Sequence, residues 1–217
     1  MKKLSNLSRS IEGKVVFITG AGSGMGRATA KLFAEYGAKI AASDLNESAV
    51  SETVEQILQA ECEAKAWQLD VTDARAIENC ITEAVLSYGG IDVLINNAGV
   101  SLRTPIDDED YEERFTKSVS VLLTSHTRTI RAALPYLRKS KSPRIINIAS
   151  TEGLGASAGN SPYTSSKHGV IGLTRSLAAE LGKEGITVNA ICPGPILTGM
   201  TDWIPEEDRE IYSRRRI

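Results

Sequence analysis

Six short runs of aliphatic and β-branched residues, each separated from the next by a longer segment of helical period, constrain this chain more than any other feature. They fall at residues 15–18, 39–42, 66–69, 93–95, 144–148 and 187–190. Most are apolar throughout rather than alternating, as expected of parallel strands covered by helices on both faces. Strand and helix in regular alternation predict an α/β fold, a doubly wound parallel sheet of Rossmann type. Helices are expected over 26–35, closing at Gly37, and over 47–60 behind Asn46 as N-cap. A third would be capped by Thr72 or Asp73, and two long ones span 109–139 and 162–182. With no internal repeat, low-complexity tract or linker, residues 1–217 read as a single domain.

Charge and cysteine usage remove several function classes. Lys and Arg number 25 against 27 Asp and Glu, leaving no global field to hold a polyanion, so nucleic acid is not expected as a partner. Cys62, Cys80 and Cys192 lack the paired spacing of a zinc site or redox dithiol, and neither His126 nor His168 sits in a triad or metal-ligand pattern. No metal is expected. The start has a positive end but no apolar stretch behind it, and no run is long enough to span a bilayer, so a cytoplasmic location without membrane contact is the expectation. Arg214, Arg215 and Arg216 read as a solvated basic face.

After the first strand comes Thr19-Gly20-Ala21-Gly22-Ser23-Gly24-Met25-Gly26, followed by a helix. Glycines let the backbone approach a pyrophosphate, and the helix N-terminus offers free N–H groups and partial positive charge. The spacing G-x-G-x-x-G does not fit, since from Gly20 its last glycine falls on Met25. What fits is T-G-x-x-x-G-x-G through Thr19, Gly20, Gly24 and Gly26. Further on stand Asn96-Asn97-Ala98-Gly99 after the fourth strand, Ser150 after the fifth, Tyr163-x-x-x-Lys167 in the next helix, and Pro193-Gly194 after the sixth. In order and spacing this set resembles the short-chain dehydrogenase/reductase family across nearly the whole chain.

Asp44 ends the second strand about twenty residues beyond the glycine turn, where a carboxylate can accept hydrogen bonds from the adenosine ribose. A 2′-phosphate there would meet like charge, so NAD is expected over NADP. Ser23 agrees, because family members that use NADP often carry arginine in this turn; Arg27, one turn into the helix, is the residue that could oppose the assignment. By resemblance, Asp70 and the Val71 backbone reach the adenine, and Asn97 and Gly99 line the cofactor cleft. Ile196 and Thr198, behind Pro193 and Gly194, clamp the carboxamide. Without the resemblance, Asp70 is a strand-end acid or helix cap.

Reducing a carbonyl needs a hydride on carbon and a proton on oxygen, from an acid whose pKa lies near the working pH. A phenol at about 10 needs on the order of 3 to 4 kcal/mol of preference for its ionised form to reach 7 or 8. A nearby ammonium and a cationic nicotinamide can supply it. Tyr163 and Lys167, four apart on a helix, project toward one pocket, and Ser150 at a strand's carboxyl end can orient the substrate oxygen. The resemblance adds that Lys167 holds the nicotinamide ribose. Interconversion of a secondary alcohol and its ketone is the expected reaction, with Ser150, Tyr163 and Lys167 as the catalytic trio. A nucleotide-binding protein with weak or no turnover, and an epimerase or dehydratase on the same cofactor, are the competing readings.

Two departures from the family stand out. Many members place an asparagine in the helix before the fifth strand, holding a water that passes protons through the lysine; here Leu122 occupies that place, with Ser118, Ser125 and His126 nearby as alternative holders of a water. Members also continue into a further helix and a seventh strand. Residues missing beyond Ile217, or an open sheet edge, are therefore expected. Substrate contacts are expected from 101–106, 151–160 and 199–209, including Trp203. By resemblance the chain assembles as a homodimer or homotetramer through the two long helices.

Overall fold

A computed structural model describes residues 10–201 and 205–208. Trp203, Arg209 and the run Arg214 to Arg216 lie outside the described residues. Six strands, β1 (Val15–Thr19), β2 (Lys39–Asp44), β3 (Ala64–Gln68), β4 (Val93–Asn96), β5 (Arg144–Ile148) and β6 (Thr187–Ile191), form one parallel sheet in the order β3-β2-β1-β4-β5-β6. The central strand β1 is buried along its whole length, which is why its sequence, Val-Val-Phe-Ile-Thr, shows no polar alternation.

Side chains two apart point to the same side of a strand, and the two cores divide accordingly. Val15 and Phe17 of β1, Leu94 of β4 and Ile145 of β5 pack beneath α3 (Ala74–Tyr88), α5 (Ser125–Leu137) and α6 (Ser161–Leu181) through Ile81, Leu137 and Leu181. Val16, Ile18, Val93 and Ile95 face the opposite way, against α1 (Gly24–Glu35) and α2 (Glu47–Gln59) through Ala34, Val50 and Ile57. Each such aliphatic residue contributes roughly 1.5–3 kcal/mol by leaving water. A polar ladder crosses the sheet as well. Thr129 Oγ1 donates to Asn96 Oδ1, Asn96 Nδ2 to Asn147 Oδ1, and Asn147 Nδ2 to Thr174 Oγ1, at 2.6, 2.9 and 3.0 Å. It ties α5 and α6 to the carboxyl ends of β4 and β5.

The helix expected over 109–139 is not one uniform element. It begins at Tyr111, as α4 (Tyr111–Val119), widens into a π turn at Ser120–Thr124, and resumes as α5. In the wide turn the Ser125 N–H donates to Ser120 O, five residues back. The Val121 carbonyl, left without its usual partner, accepts from Ser125 Oγ at 2.6 Å. Asp73 rather than Thr72 caps α3, accepting from the N–H groups of Arg75 and Ala76. No helix among the described residues is long and apolar enough to cross a membrane.

Candidate active site

In this strand order the chain leaves β1 in opposite directions toward β2 and β4, and the crevice beyond the carboxyl ends at that reversal is where open α/β sheets take ligands. The glycine turn closes it on one side. Gly20 and Gly24 hold φ of +68° and +50°, values that side chains with a Cβ rarely adopt. A Cβ on Gly26 would lie 2.0 Å from the Gly20 carbonyl oxygen, so α1 can begin this close to the turn only with glycine there. Ser23 stands in extended conformation at the N-cap of α1 without its side chain accepting a capping hydrogen bond. The helix therefore starts at Gly24, two residues before the expected position.

Asn97 and Thr19 hold this turn together. Asn97 Nδ2 donates to the carbonyls of Thr19 and Gly20, both at 3.0 Å, and Thr19 Oγ1 accepts from the N–H groups of Asn97 and Ala98. Asp44 lies at the other end of the crevice, where its Oδ2 accepts from Gly22 N–H at 2.9 Å and its Oδ1 from Asn46 N–H. A Cβ on Gly22 would meet that carboxylate at 2.9 Å. Arg27 points elsewhere: it donates to the Gly22 and Ala49 carbonyls and pairs with Glu52 at 2.9 Å. Gly20, Ser23, Gly24, Met25, Asp44, Asn97, Gly99 and Thr198 thus line one cleft.

That cleft shares Met25, Asn97, Gly99 and Thr198 with a second cavity of about 350 Å³, into which Ser150, Tyr163, Lys167, Pro193, Gly194 and Ile196 also converge. Gly26 is buried beneath the turn, and Asp70 and Val71 line neither cavity. Asp70 Oδ1 accepts instead from the Thr72 N–H and hydroxyl, and Val71 is buried. Thr198 folds over the glycine turn, within 3.1 Å of a Cβ placed on Gly24. Its segment is pinned by Thr201, which donates to Ile196 O at 2.7 Å and accepts from Thr198 N–H at 3.0 Å.

Within the second cavity, Ser150 sits just past β5 and Tyr163 and Lys167 one turn apart on α6. Burial, helped by the Glu152 charge, outweighs the opposing effect of the Ser150 hydroxyl and keeps the Tyr163 pKa above its ordinary value. The depression expected from the lysine is therefore not present in the protein alone. Lys167 Nζ donates to Ile148 O at 2.6 Å and lies 5.5 Å from the centre of the Tyr163 ring. Burial brings its pKa down to about 8, against a small opposing effect of Cys192.

Glu152 was not legible as a separate site residue within the 151–160 loop. Its carboxylate accepts from Ser157 N–H and Oγ at 3.0 and 2.6 Å and from Thr164 Oγ1 at 2.7 Å. Burial opposes ionisation, but the bonds from Ser157 and Thr164 hold the carboxyl below its usual pKa. It fastens the cavity wall to α6. Asn160 Oδ1 is buried without a partner on the same wall.

Comparison with known proteins agrees with this geometry. The model of the short chain dehydrogenase family matches residues 14–209. The chain belongs to the short-chain dehydrogenase/reductase family. It is accordingly an oxidoreductase of a family that works with NAD(P). This short-chain dehydrogenase is 38% identical over 200 residues to the 3-oxoacyl-(acyl-carrier-protein) reductase FabG of Thermotoga maritima, which covers 92% of the chain and 81% of the relative. It is 36% identical over 209 residues to the meso-2,3-butanediol dehydrogenase of Serratia marcescens, covering 94% and 80%. A dehydrogenase/reductase from Sinorhizobium meliloti superposes with a TM-score of 0.87 at 35% identity, over 93% of this chain and 79% of that one.

Proposed function

We propose that this chain interconverts a secondary alcohol and its ketone with NAD as the hydride carrier, and that Tyr163 exchanges the proton. The observation that carries this reading is the convergence of Ser150, Tyr163 and Lys167 in one cavity that adjoins the glycine turn. Bound nicotinamide supplies or accepts the hydride. The turn from Gly20 to Gly26, Thr198 and Ile196 would hold it, and Gly20 and Gly24, which line the cleft without a Cβ, leave its backbone open to such a ligand. Ser150 would orient the substrate oxygen and stabilise charge on it. In the reductive direction Tyr163, kept as a neutral phenol by burial, donates its proton to that oxygen while Lys167 stabilises the phenolate left behind.

Support for NAD comes from two placements. The Asp44 carboxylate is fastened beside the turn by Gly22 N–H, and Arg27, the cation nearest in sequence, is occupied by Glu52 and backbone carbonyls. Among relatives, the names D-β-hydroxybutyrate dehydrogenase and meso-2,3-butanediol dehydrogenase denote secondary-alcohol chemistry, which agrees with the proposed substrate class. Tyr163→Phe removes the acid and little else. It should abolish oxidation across a panel of secondary alcohols with NAD binding retained, whereas turnover close to wild type would refute the role of the phenol. Asp44→Ala should narrow the preference for NAD by roughly tenfold or more, as expected for one charge contact. Rapid NAD binding without turnover on any alcohol or ketone would favour the nucleotide-binding reading that Leu122 raises.

A further inference from the structure

Glu152 brings a carboxylate into the cavity that holds Ser150 and Tyr163. It lies in the short turn Thr151–Gly153 directly behind Ser150, and its N–H donates to Ser150 Oγ at 3.1 Å. Cα atoms two residues apart are separated by about 7 Å at most. A substrate whose reacting oxygen meets Ser150 therefore has its neighbouring carbons within reach of the Glu152 side chain.

This carboxylate is kept ionised by neutral donors. The bonds from Ser157 and Thr164 lower its pKa, and none of the ion pairs among the described residues includes it. Of the cations on the same cavity, Lys167 is buried against Ile148 O, and Arg103 is exposed and donates to Ala158 O at 3.1 Å. The Glu152 charge is felt at the Tyr163 phenol, whose pKa it helps to raise, and an anionic group on the substrate would meet the same field. An ionised carboxylate offers about four acceptor positions and no donor. Ser157 and Thr164 fill two on Oε2 and one on Oε1, so Oε1 can take one more. A hydroxyl supplies that donor without adding charge.

We propose that Glu152 is a specificity residue, and that the cavity takes uncharged secondary alcohols whose second hydroxyl, near the reacting carbon, donates to this carboxylate while hydroxy acids are repelled. Such a site discriminates twice, by a hydrogen bond to the right substrate and by like charge against the wrong one. The proposal rests on the alcohol–ketone reading of the same cavity.

The test uses secondary alcohols that share one carbon skeleton and differ only at the far carbon: 2-butanol, 1,3-butanediol, 3-hydroxybutyrate and 4-amino-2-butanol, each oxidised with NAD by the full chain. In the wild-type protein kcat/KM for 1,3-butanediol should exceed that for 2-butanol by about tenfold, as for one hydrogen bond to a charged group, with 3-hydroxybutyrate below 2-butanol. Glu152→Gln removes the charge and should raise 3-hydroxybutyrate relative to 2-butanol by about tenfold, the scale of one charge contact. Glu152→Asp keeps the charge but draws the acceptor back by one methylene, so the preference for the diol should fall while 3-hydroxybutyrate stays disfavoured. NAD affinity should be the same in both variants. The proposal is overturned if the diol is used no better than 2-butanol, if 3-hydroxybutyrate or 4-amino-2-butanol is preferred to it, or if the 3-hydroxybutyrate ratio does not move in Glu152→Gln. Should Glu152→Gln not fold, the wild-type panel and Glu152→Asp decide. Absence of turnover on every alcohol would overturn the reaction instead, and NMR titration of the NAD complex with the same four ligands would then decide the selection by Glu152.

Discussion

His126 ties the pH dependence of stability to one buried ring. In an unfolded chain the imidazole has an ordinary pKa of 6.5; in the fold burial, aided by the Lys167 charge, lowers it to about 3. Between these values the unfolded state binds the extra proton and the folded state does not, so stability falls as the pH drops below 6.5 and levels off near the folded pKa. Linkage gives a loss of about 2 kcal/mol at pH 5 relative to neutral pH, and the figure hardly changes for any folded pKa below about 4. Urea unfolding at pH 7 and pH 5 on the wild-type protein and His126→Gln measures it. His168, exposed on α6, and the carboxylates are common to both chains, so their contributions largely cancel in the double difference. His126→Gln should lose about 2 kcal/mol less than wild type over this interval. Equal losses would mean that His126 takes up its proton in the fold as readily as in the unfolded chain, which would refute both its desolvation and its neutrality beside Lys167.

Other expectations follow from single contacts. Gly26→Ala, whose Cβ would meet Gly20 O at 2.0 Å, should push α1 away from the turn, cost about 1–3 kcal/mol in stability and weaken NAD binding at least tenfold by calorimetry; binding within twofold of wild type would contradict the cradle. Glu152→Ala leaves Ser157 and Thr164 without their shared acceptor and should raise KM for substrate more than it lowers kcat, with affinity for NAD unchanged in titration. Leu137→Ala, at a fully buried position, should cost about 2–5 kcal/mol by denaturant melting without altering cofactor preference.

Much of the fold was legible because its signals are local. The six apolar runs match the six strands to within two residues at each end, most clearly at β1 and β4, which are buried along their length and so must be apolar throughout. Asn46 caps α2 as its type and position indicate. Tyr163 and Lys167 share a cavity because helical spacing alone puts them on one face.

Other features depended on partners distant in sequence. Arg27 could be read as a cation for a 2′-phosphate until Glu52, 25 residues on, occupied it. Glu152 acquired its role only when the loop folded back onto α6, twelve residues on. The break in the long helix had no Pro or Gly to announce it. The sequence by itself determined the strand pattern, the glycine turn and the spacing of Tyr163 and Lys167, because each is set by residues within one or two turns of each other. Only the tertiary structure decided that Ser125 repairs the π turn while Ser118 and His126 remain buried without hydrogen-bond partners, because what satisfies a buried polar group is whatever the packed helices bring to it.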